Sequence, residues 1–262
     1  MAHWYHEVSV DWLKARQPYI TATEIAKLVP EYKRTLKADP DAIAPGFAAL
    51  WAEKNTVSNP DPVSVGAAAR GHWMEWYAVD SWNQQKEPVM YHWDDCLIVS
   101  GRVGFSPDAM NVLQTLPEVE LLAKDGMLIA GNGDYDIAPT EVMEIKSYEP
   151  ARHIKSCIKE KGEHDELIQL ATAFHVVEDL EKAHLVFFCP GAPISMKSFE
   201  YTRDDLKDEI ELVGKIVERY AKTIKQCKEL SSDMAAKYTE SEIYKAMVEE
   251  VEMSRKDNIL GF

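Results

Sequence analysis

The residues best suited to chemistry lie in two short segments near the middle of the 262-residue chain. One segment is Ser106-Pro107-Asp108, and the other is Glu144-Ile145-Lys146. Carboxylate oxygens bind hard divalent cations, and a lysine ammonium orients an attacking water or stabilises the charge that develops on phosphorus. This combination of acidic residues and a lysine indicates metal-assisted hydrolysis of a phosphodiester, with Mg²⁺ as the expected ion.

The residues from Glu141 to Lys146 predict a strand that presents the second segment. Alternate side chains of a strand point to opposite faces, so Glu144 and Lys146 share one face while Met143 and Ile145 face the core. In isolation, such a pair of charges is typical of an exposed ion pair on a strand. The neighbouring segments favour a functional site instead.

The elements that must position these residues predict an α/β chain. Helical spacing indicates helices over about residues 10–30, 47–51, 64–84 and 166–180. Strands are predicted at about 96–99, 103–105 and 183–189, and a long amphipathic helix follows Thr202. The aromatic residues of the helix near 64–84, Trp73 and Trp76 among them, are expected to be core. This order favours a central mixed β-sheet flanked by helices.

The first helix carries two further local predictions. Thr21 or Thr23 is expected to cap it, and Pro30 to end it. The tripeptide Glu31-Tyr32-Lys33 repeats the acid-x-lysine pattern. Because it follows Pro30 and precedes further charges, it is interpreted as a solvated loop or helix start.

The charge of the chain argues against simple phosphate binding, since the net charge is −15 and DNA-binding proteins usually carry a basic balance. The distribution is uneven, however. Between Lys146 and Lys161 the cations outnumber the acids, and Arg152 and Lys155 belong to this basic tract. We expect the tract to contact substrate, with a solvated helix face as the alternative.

Composition predicts an ordinary globular chain. With 46% hydrophobic residues, a single domain is expected, with a core over about 10–200 and a helical appendage over about 202–262. The four cysteines lack paired spacing, which indicates free thiols rather than zinc ligands or disulfides. No signal-peptide pattern and no membrane-spanning apolar run are found, so a cytoplasmic location without a membrane partner is expected.

Five blocks in order resemble the phage lambda exonuclease family, which belongs to the restriction-endonuclease-like PD-(D/E)XK superfamily. The resemblance spans roughly residues 10 to 190. Its blocks are Trp12–Arg16 with Ile20–Glu24, Arg70–Glu75, Ser106–Met110, Glu144–Lys146, and the helix around Gln169. The resemblance implies an α/β restriction-endonuclease-like core with a central mixed β-sheet flanked by helices; an inserted hairpin region and C-terminal helices are expected as additions to it.

The resemblance also implies a metal centre. Its ligands would be Glu75, Asp108, Glu144 and the carbonyl oxygen of Ile145, holding one or two Mg²⁺ ions, with Mn²⁺ able to substitute. Lys146 would position the nucleophile or help to deprotonate it. Gln169 would orient Lys146 or the water, although an exposed helical glutamine is the ordinary alternative.

A pocket for a 5′ phosphate is implied by the first block and by the serine before Asp108. Arg16, Thr23 and Ser106 would line it, which combines a guanidinium fork with two hydroxyls. Trp12 would stack near the duplex end, with core packing as its alternative. A surface arginine and capping hydroxyls are the alternatives for the other three.

The choice of aspartate is open on one point. About 35 residues separate Asp108 from Glu144, more than the short hairpin that the family often has there. Residues 110 to 140 predict an extra hairpin on the sheet edge, and its Asp134 and Asp136 are rival ligands. Asp108 is preferred because the Ser-Pro-Asp motif matches as a unit, whereas the other two suit turns beside glycine.

The implied activity is a 5′-to-3′ exonuclease that acts on the ends of linear double-stranded DNA. It would release mononucleotides and leave a 3′ single-stranded tail for recombination by strand annealing. A ring-shaped homotrimer and a single-strand annealing recombinase as partner are implied as well, in the host cytoplasm if a phage or prophage encodes the chain. The alternatives are an inactive DNA end-binding protein of the same fold, a site-specific endonuclease and, more remotely, an acidic metabolic enzyme.

Overall fold

A computed structural model describes residues 16–39, 41–55, 65–92, 96–111, 128–130 and 139–238. The helices of this part are α1 (Ala22–Ala38), α2 (Pro45–Asn55), α3 (Val65–Asn83), α4 (Pro150–Cys157), α5 (His164–Val176) and α6 (Lys207–Tyr238). The strands are β1 (Ile20–Thr21), β2 (Tyr91–His92), β3 (Cys96–Ser100), β4 (Val103–Phe105), β5 (Ala109–Met110), β6 (Leu128–Ala130), β7 (Glu141–Lys146), β8 (Lys182–Phe188) and β9 (Met196–Tyr201). The predicted α/β class is confirmed.

The first sheet has the strand order β1-β4-β3-β6. β3 and β4 form an antiparallel hairpin, and Gly101 in its turn has φ 57°, a conformation that glycine adopts without steric cost. β1 and β4 pair in parallel, with Thr21 opposite Gly104. Parallel strands end at the same edge, so the residues that follow Thr21 lie near those that follow Phe105.

The second sheet has the order β2-β5-β7-β8-β9, which makes β7 its central strand. β7 pairs in parallel with β8 along its whole length, and α4 and α5 lie in the connection between them. β5 pairs antiparallel with β7 on the other side, with Ala109 opposite Met143. Both sheets are mixed, so the strands divide between two mixed sheets where one central sheet was predicted.

The strand β7 lies between two hydrophobic clusters. Val142 packs in one cluster with Phe174 of α5, and Met143 and Ile145 pack in the other with Trp82 of α3. The predicted alternation is therefore present, and the face of Glu144 is also covered over much of its length. Burial on both faces holds this strand firmly, because each fully buried apolar side chain contributes about 1.5–3 kcal/mol.

The prediction that Pro30 ends the first helix was wrong, because α1 continues to Ala38 with Pro30 inside it. Pro30 is exposed, whereas Val29 and Tyr32 on either side are buried in a core cluster. Packing of this apolar stripe outweighs the hydrogen bond that proline cannot donate. Residues 31–33 are accordingly helical rather than a loop or helix start.

The start of the first helix also differs from expectation. Ile20 and Thr21 form the short strand β1, and the helix begins only at Ala22. The main-chain N–H of Thr21 donates to Oε2 of Glu24 at 2.7 Å, which is half of a capping box. Pairing of β1 with β4, which no local pattern encodes, determines this boundary.

The prediction for the aromatic residues of α3 was wrong for two of three tryptophans. Trp73 and Trp76 are each 51% exposed, whereas Trp82 is 2% exposed. Positions three and four apart share a helix face, and the face with Ala78, Val79 and Trp82 packs against the second sheet. The other two tryptophans lie on the opposite side of this packing.

The region predicted as an inserted hairpin is described only at β6 and at its ends. β6 pairs in parallel with β3 at the edge of the first sheet, which agrees with the expected edge position. The rest of the predicted hairpin, together with Asp134 and Asp136, lies outside the described residues.

The cysteines behave as predicted. Cys96, Cys157, Cys189 and Cys227 are free thiols in buried positions. Burial raises the pKa of Cys96 to about 12, so this thiol does not ionise at neutral pH. In the described part of the chain, no helix combines the length and apolar character needed to span a bilayer.

Candidate active site

Asp108 is attached to β7 by two contacts with its main chain. The N–H of Asp108 donates to the carbonyl of Met143 at 3.1 Å, and its Oδ2 accepts from the N–H of Ile145 at 2.6 Å. The N–H and C=O of one strand residue point to the same side. The Ile145 carbonyl therefore faces the side of β7 on which Asp108 lies.

Lys146 joins strand β7 to helix α5. Its Nζ donates to Oε1 of Glu144 at 2.6 Å and to Oε1 of Gln169 at 2.8 Å. Burial alone would lower the pKa of Lys146, but the charges of Glu144 and Asp108 outweigh it and raise that pKa above its ordinary value. The two carboxyls therefore favour the ammonium form of this side chain.

The carboxyl of Asp108 lies in a strongly perturbing environment. Burial raises the pKa of Asp108 well above its usual range, and the negative charges of Glu144 and Glu75 raise it further. The charge of Lys146 and the hydrogen bond from Ile145 act in the opposite direction. Glu75 of α3 thus lies within electrostatic range of Asp108.

These groups are chemically suited to a hard cation. Three carboxylates and the Ile145 carbonyl offer the oxygen ligands that Mg²⁺ prefers, and a cation would relieve the repulsion that raises the pKa of Asp108. In the described residues, no three acidic, histidine or cysteine side chains form a close ligand cluster. The carboxylate of Glu144 is hydrogen-bonded to Lys146 instead. The residues therefore fit the ion, provided that Glu144 reorients.

Two predicted phosphate ligands lie at one end of the β1–β4 pair. Thr23 is in the first turn of α1, and Ser106 directly follows β4. The hydroxyl of Ser106 is buried and has no hydrogen-bond partner among the described residues. Arg16 is within electrostatic range of Glu24, the residue after Thr23, and burial lowers the pKa of Arg16 despite that charge.

The hydroxyl of Thr23 contacts the NH₂ group of the Gln169 side chain, whose amide oxygen contacts Lys146. Nε2 of Gln169 donates to Oγ1 of Thr23 at 3.3 Å, while Oε1 of the same amide accepts from Lys146. Gln169 thus lies against Lys146, as predicted. The contact with Thr23 was not predicted.

The basic tract after β7 is partly paired with acids. The guanidinium of Arg152 lies 3.8 Å above the ring of Tyr148, and its Nη2 is 3.8 Å from Oε2 of Glu163. Lys155 is exposed on α4. The tract therefore presents some positive charge at the surface, although less than its sequence suggests.

Two residues that support the site were missed by the sequence analysis. The hydroxyl of Tyr148 donates to Oε1 of Glu166 at 2.6 Å, and Oε2 of Glu166 accepts from the N–H of Glu163 at 2.6 Å. These bonds connect the segment that follows β7 to the first turn of α5. Gln169 lies further along the same helix. An acidic residue three positions after a helix cap is the capping-box signature and could have indicated Glu166.

Trp12 lies outside the described residues, so its role stays a prediction. The choice between Asp108 and the rivals Asp134 and Asp136 also stays open, since both rivals are outside the described part. The aspartate that the structure does bring to β7 is Asp108.

Fold and site together define the class: a mixed α/β chain with acidic residues and a lysine gathered at the central strand of its second sheet. No family model and no curated protein sequence matches the chain. Among solved structures it is similar to the alkaline exonuclease LHK-Exo from Laribacter hongkongensis, with 17% identity and a TM-score of 0.56 over 87% of this chain and 100% of that one. A structure of LHK-Exo in complex with dAMP gives 18% identity and a TM-score of 0.57 over the same shares. The resemblance inferred from sequence is thus confirmed at the level of the fold.

Proposed function

We propose that this chain is a Mg²⁺-dependent exonuclease that degrades one strand of linear double-stranded DNA from the 5′ end. It would release mononucleotides and leave a 3′ single-stranded tail for recombination. The observation that carries the proposal is the grouping of Asp108, Glu144 and Lys146, with Gln169 against the lysine. The shared fold with an alkaline exonuclease, one structure of which holds dAMP, supports the same chemistry.

Lys146 would position the attacking water or help to deprotonate it. As an ammonium, it donates to that water or to a phosphate oxygen. Glu144 and Gln169 fix its position through two hydrogen bonds.

Glu75, Asp108, Glu144 and the Ile145 carbonyl would hold one or two Mg²⁺ ions, with Mn²⁺ able to substitute. Such an ion, when bound, lowers the pKa of its water and stabilises charge on the attacked phosphate and the leaving oxygen. Asp108 must lose its proton to become a ligand, and its raised pKa makes ion affinity increase with pH.

End recognition falls to Arg16, Thr23 and Ser106, which would bind the terminal 5′ phosphate. The buried hydroxyl of Ser106 has a proton to donate, and the surrounding side chains must move slightly to admit a phosphate oxygen. Arg152 and Lys155 would contact the DNA backbone beyond the cut.

A homotrimer that encircles DNA and a single-strand annealing recombinase that receives the 3′ tail complete the proposal. Both rest on the sequence resemblance to the phage lambda exonuclease family. The same resemblance suggests the cytoplasm of the host as the place of action.

The proposal is tested with linear duplexes labelled at either the 5′ or the 3′ end, and with closed circular DNA. Label should be released as mononucleotide first from the 5′ ends, and the circles should stay intact. Release from 3′ ends first would contradict the polarity, and cutting of circles would indicate an endonuclease. Binding of ends without release would indicate the inactive alternative.

A further inference from the structure

A chain of hydrogen bonds links Thr23 of α1 to Lys146 of β7 through the side chain of Gln169. Oγ1 of Thr23 accepts from Nε2 of Gln169 at 3.3 Å, and Oε1 of Gln169 accepts from Lys146 at 2.8 Å. An ammonium can only donate, so the amide oxygen must face Lys146 and the NH₂ group must face Thr23. The orientation of the amide therefore follows from the chemistry of its neighbours.

The packing of α1 against α5 holds this link. Gln169 lies between Ile168 and Leu170, which are both fully buried. Ile168 belongs to the same hydrophobic cluster as Ile25 and Val29 of α1. The two helices thus fix the distance between Thr23 and Gln169, and the short Lys146 contact transmits that position to β7.

We infer that Thr23 is a positioning residue, whose hydroxyl holds the Gln169 amide so that the amide holds Lys146. This inference rests on the proposed function and deepens it. A hydroxyl has one proton to donate and two lone pairs, so Thr23 can donate to a terminal phosphate while it still accepts from Gln169. Occupation of the phosphate pocket then strengthens the link, since hydrogen bonds in a chain polarise one another. The state of the 5′ end is in this way coupled to the chemical step.

The test measures single-turnover rates and KM on duplexes with either a 5′-phosphate or a 5′-hydroxyl end. Thr23→Val keeps the side-chain shape and removes the hydroxyl, and it should lower the single-turnover rate about three- to tenfold on both kinds of end, with the larger loss on 5′-phosphate ends. Thr23→Ser should restore the rate. Lys27→Ala, one turn further along the exposed side of α1, is the matched control and should behave as wild type. A loss confined to 5′-phosphate ends, or one seen only in KM, would make Thr23 a phosphate ligand alone and overturn the inference.

A double-mutant comparison isolates the link. Gln169→Leu removes the amide, so adding Thr23→Val to it should cause no further loss on 5′-hydroxyl ends. Losses that multiply would mean that the two residues act independently, which contradicts positioning through Gln169.

A readout without DNA separates this inference from the proposed function. The ¹H–¹⁵N resonance of the Gln169 side-chain amide should shift in Thr23→Val and return in Thr23→Ser. If it does not shift, the link is overturned even where wild type degrades DNA. If it shifts while wild type releases no nucleotide from any end, the proposed function fails and the contact stands.

Discussion

The ionisation of Asp108 affects both the stability of the fold and the chemistry proposed for the candidate site. Burial and the charges of Glu144 and Glu75 disfavour its ionised form, and Lys146 compensates only in part. Functional sites commonly hold like charges together at a cost in stability. The metal-free chain should therefore gain stability when this carboxyl is made neutral.

We expect Asp108→Asn to be more stable than wild type in EDTA, by an amount that grows with pH. The folded pKa of Asp108 is raised above the unfolded value of about 3.9. The protonated carboxyl stabilises the fold fully below that value, and this contribution is lost as pH rises through the folded pKa. Within this window the gap should widen by up to about 1.4 kcal/mol per pH unit.

Urea unfolding at a series of pH values measures this gap as a difference in the free energy of unfolding. Asp204→Asn is the control, because Asp204 is an exposed turn residue. A gap between Asp108→Asn and wild type that does not change with pH would mean that Asp108 has an ordinary pKa.

Single residues were predictable where their signal is local. Glu144 and Lys146 stand two positions apart on a strand, so their shared face follows from the strand period alone. The contact between Gln169 and Thr23 joins residues 146 positions apart in the chain. It depends on how α1 and α5 pack, which no local spacing encodes.

At the scale of elements, helix α3 connects the core with the site. Trp82 is buried, and its Nε1 donates to the carbonyl of Pro88 at 3.1 Å. Its ring lies edge-on to the ring of His184, with 4.9 Å between the two ring centroids. Glu75 lies two turns earlier on the same helix. The packing of Trp82 therefore fixes the position from which Glu75 acts on Asp108.

Trp82→Ala should lower the free energy of unfolding by about 3–5 kcal/mol, because it leaves a cavity and an unpaired carbonyl. Trp73→Ala on the same helix is the matched control, since Trp73 is 51% exposed, and its effect should stay within about 0.5 kcal/mol. Chemical denaturation of both variants measures the difference. Equal effects would contradict the assignment of buried and exposed faces on α3.

The sequence predicted the bounds of α3, β3, β4 and β8 to within one residue at each end, whereas the helix predicted over 166–180 is α5 at His164–Val176. The first helix continues past the predicted stop at Pro30 because the packing of Val29 and Tyr32 outweighs the intrinsic penalty of proline. Trp73 and Trp76 were mispredicted because aromatic residues at helical spacing do not reveal which face meets a sheet. In each case tertiary contacts outweighed local preference.

At the scale of the whole molecule, the chain carries a net charge of −15. Such a charge opposes tight binding to nucleic acid, so the proposed exonuclease would hold its DNA mainly by the local cations near β7 and by enclosure. A ring of subunits would supply enclosure without strong phosphate contacts. The proposed homotrimer is thus compatible with the acidic net charge.

Sedimentation equilibrium of the purified chain should give a mass three times that of one subunit, both with and without DNA. A monomer at micromolar concentration would contradict the trimer while leaving the chemistry of the site unaffected. Division of the strands between two mixed sheets was also not predictable, because it depends on long-range pairing such as that of β1 with β4.

The most direct test of the central claim is the rate at which linear duplex DNA loses mononucleotides when the acid–lysine centre is altered. Glu144→Gln and Lys146→Met should each lower this rate by about 10²–10³-fold or more, and EDTA should abolish it in wild type. Glu218→Gln and Lys27→Met, at exposed positions of α6 and α1, are the matched controls and should keep wild-type rates. If Glu144→Gln and Lys146→Met degrade DNA as fast as these controls, or if wild type is indifferent to EDTA, the proposed centre is not the site of hydrolysis.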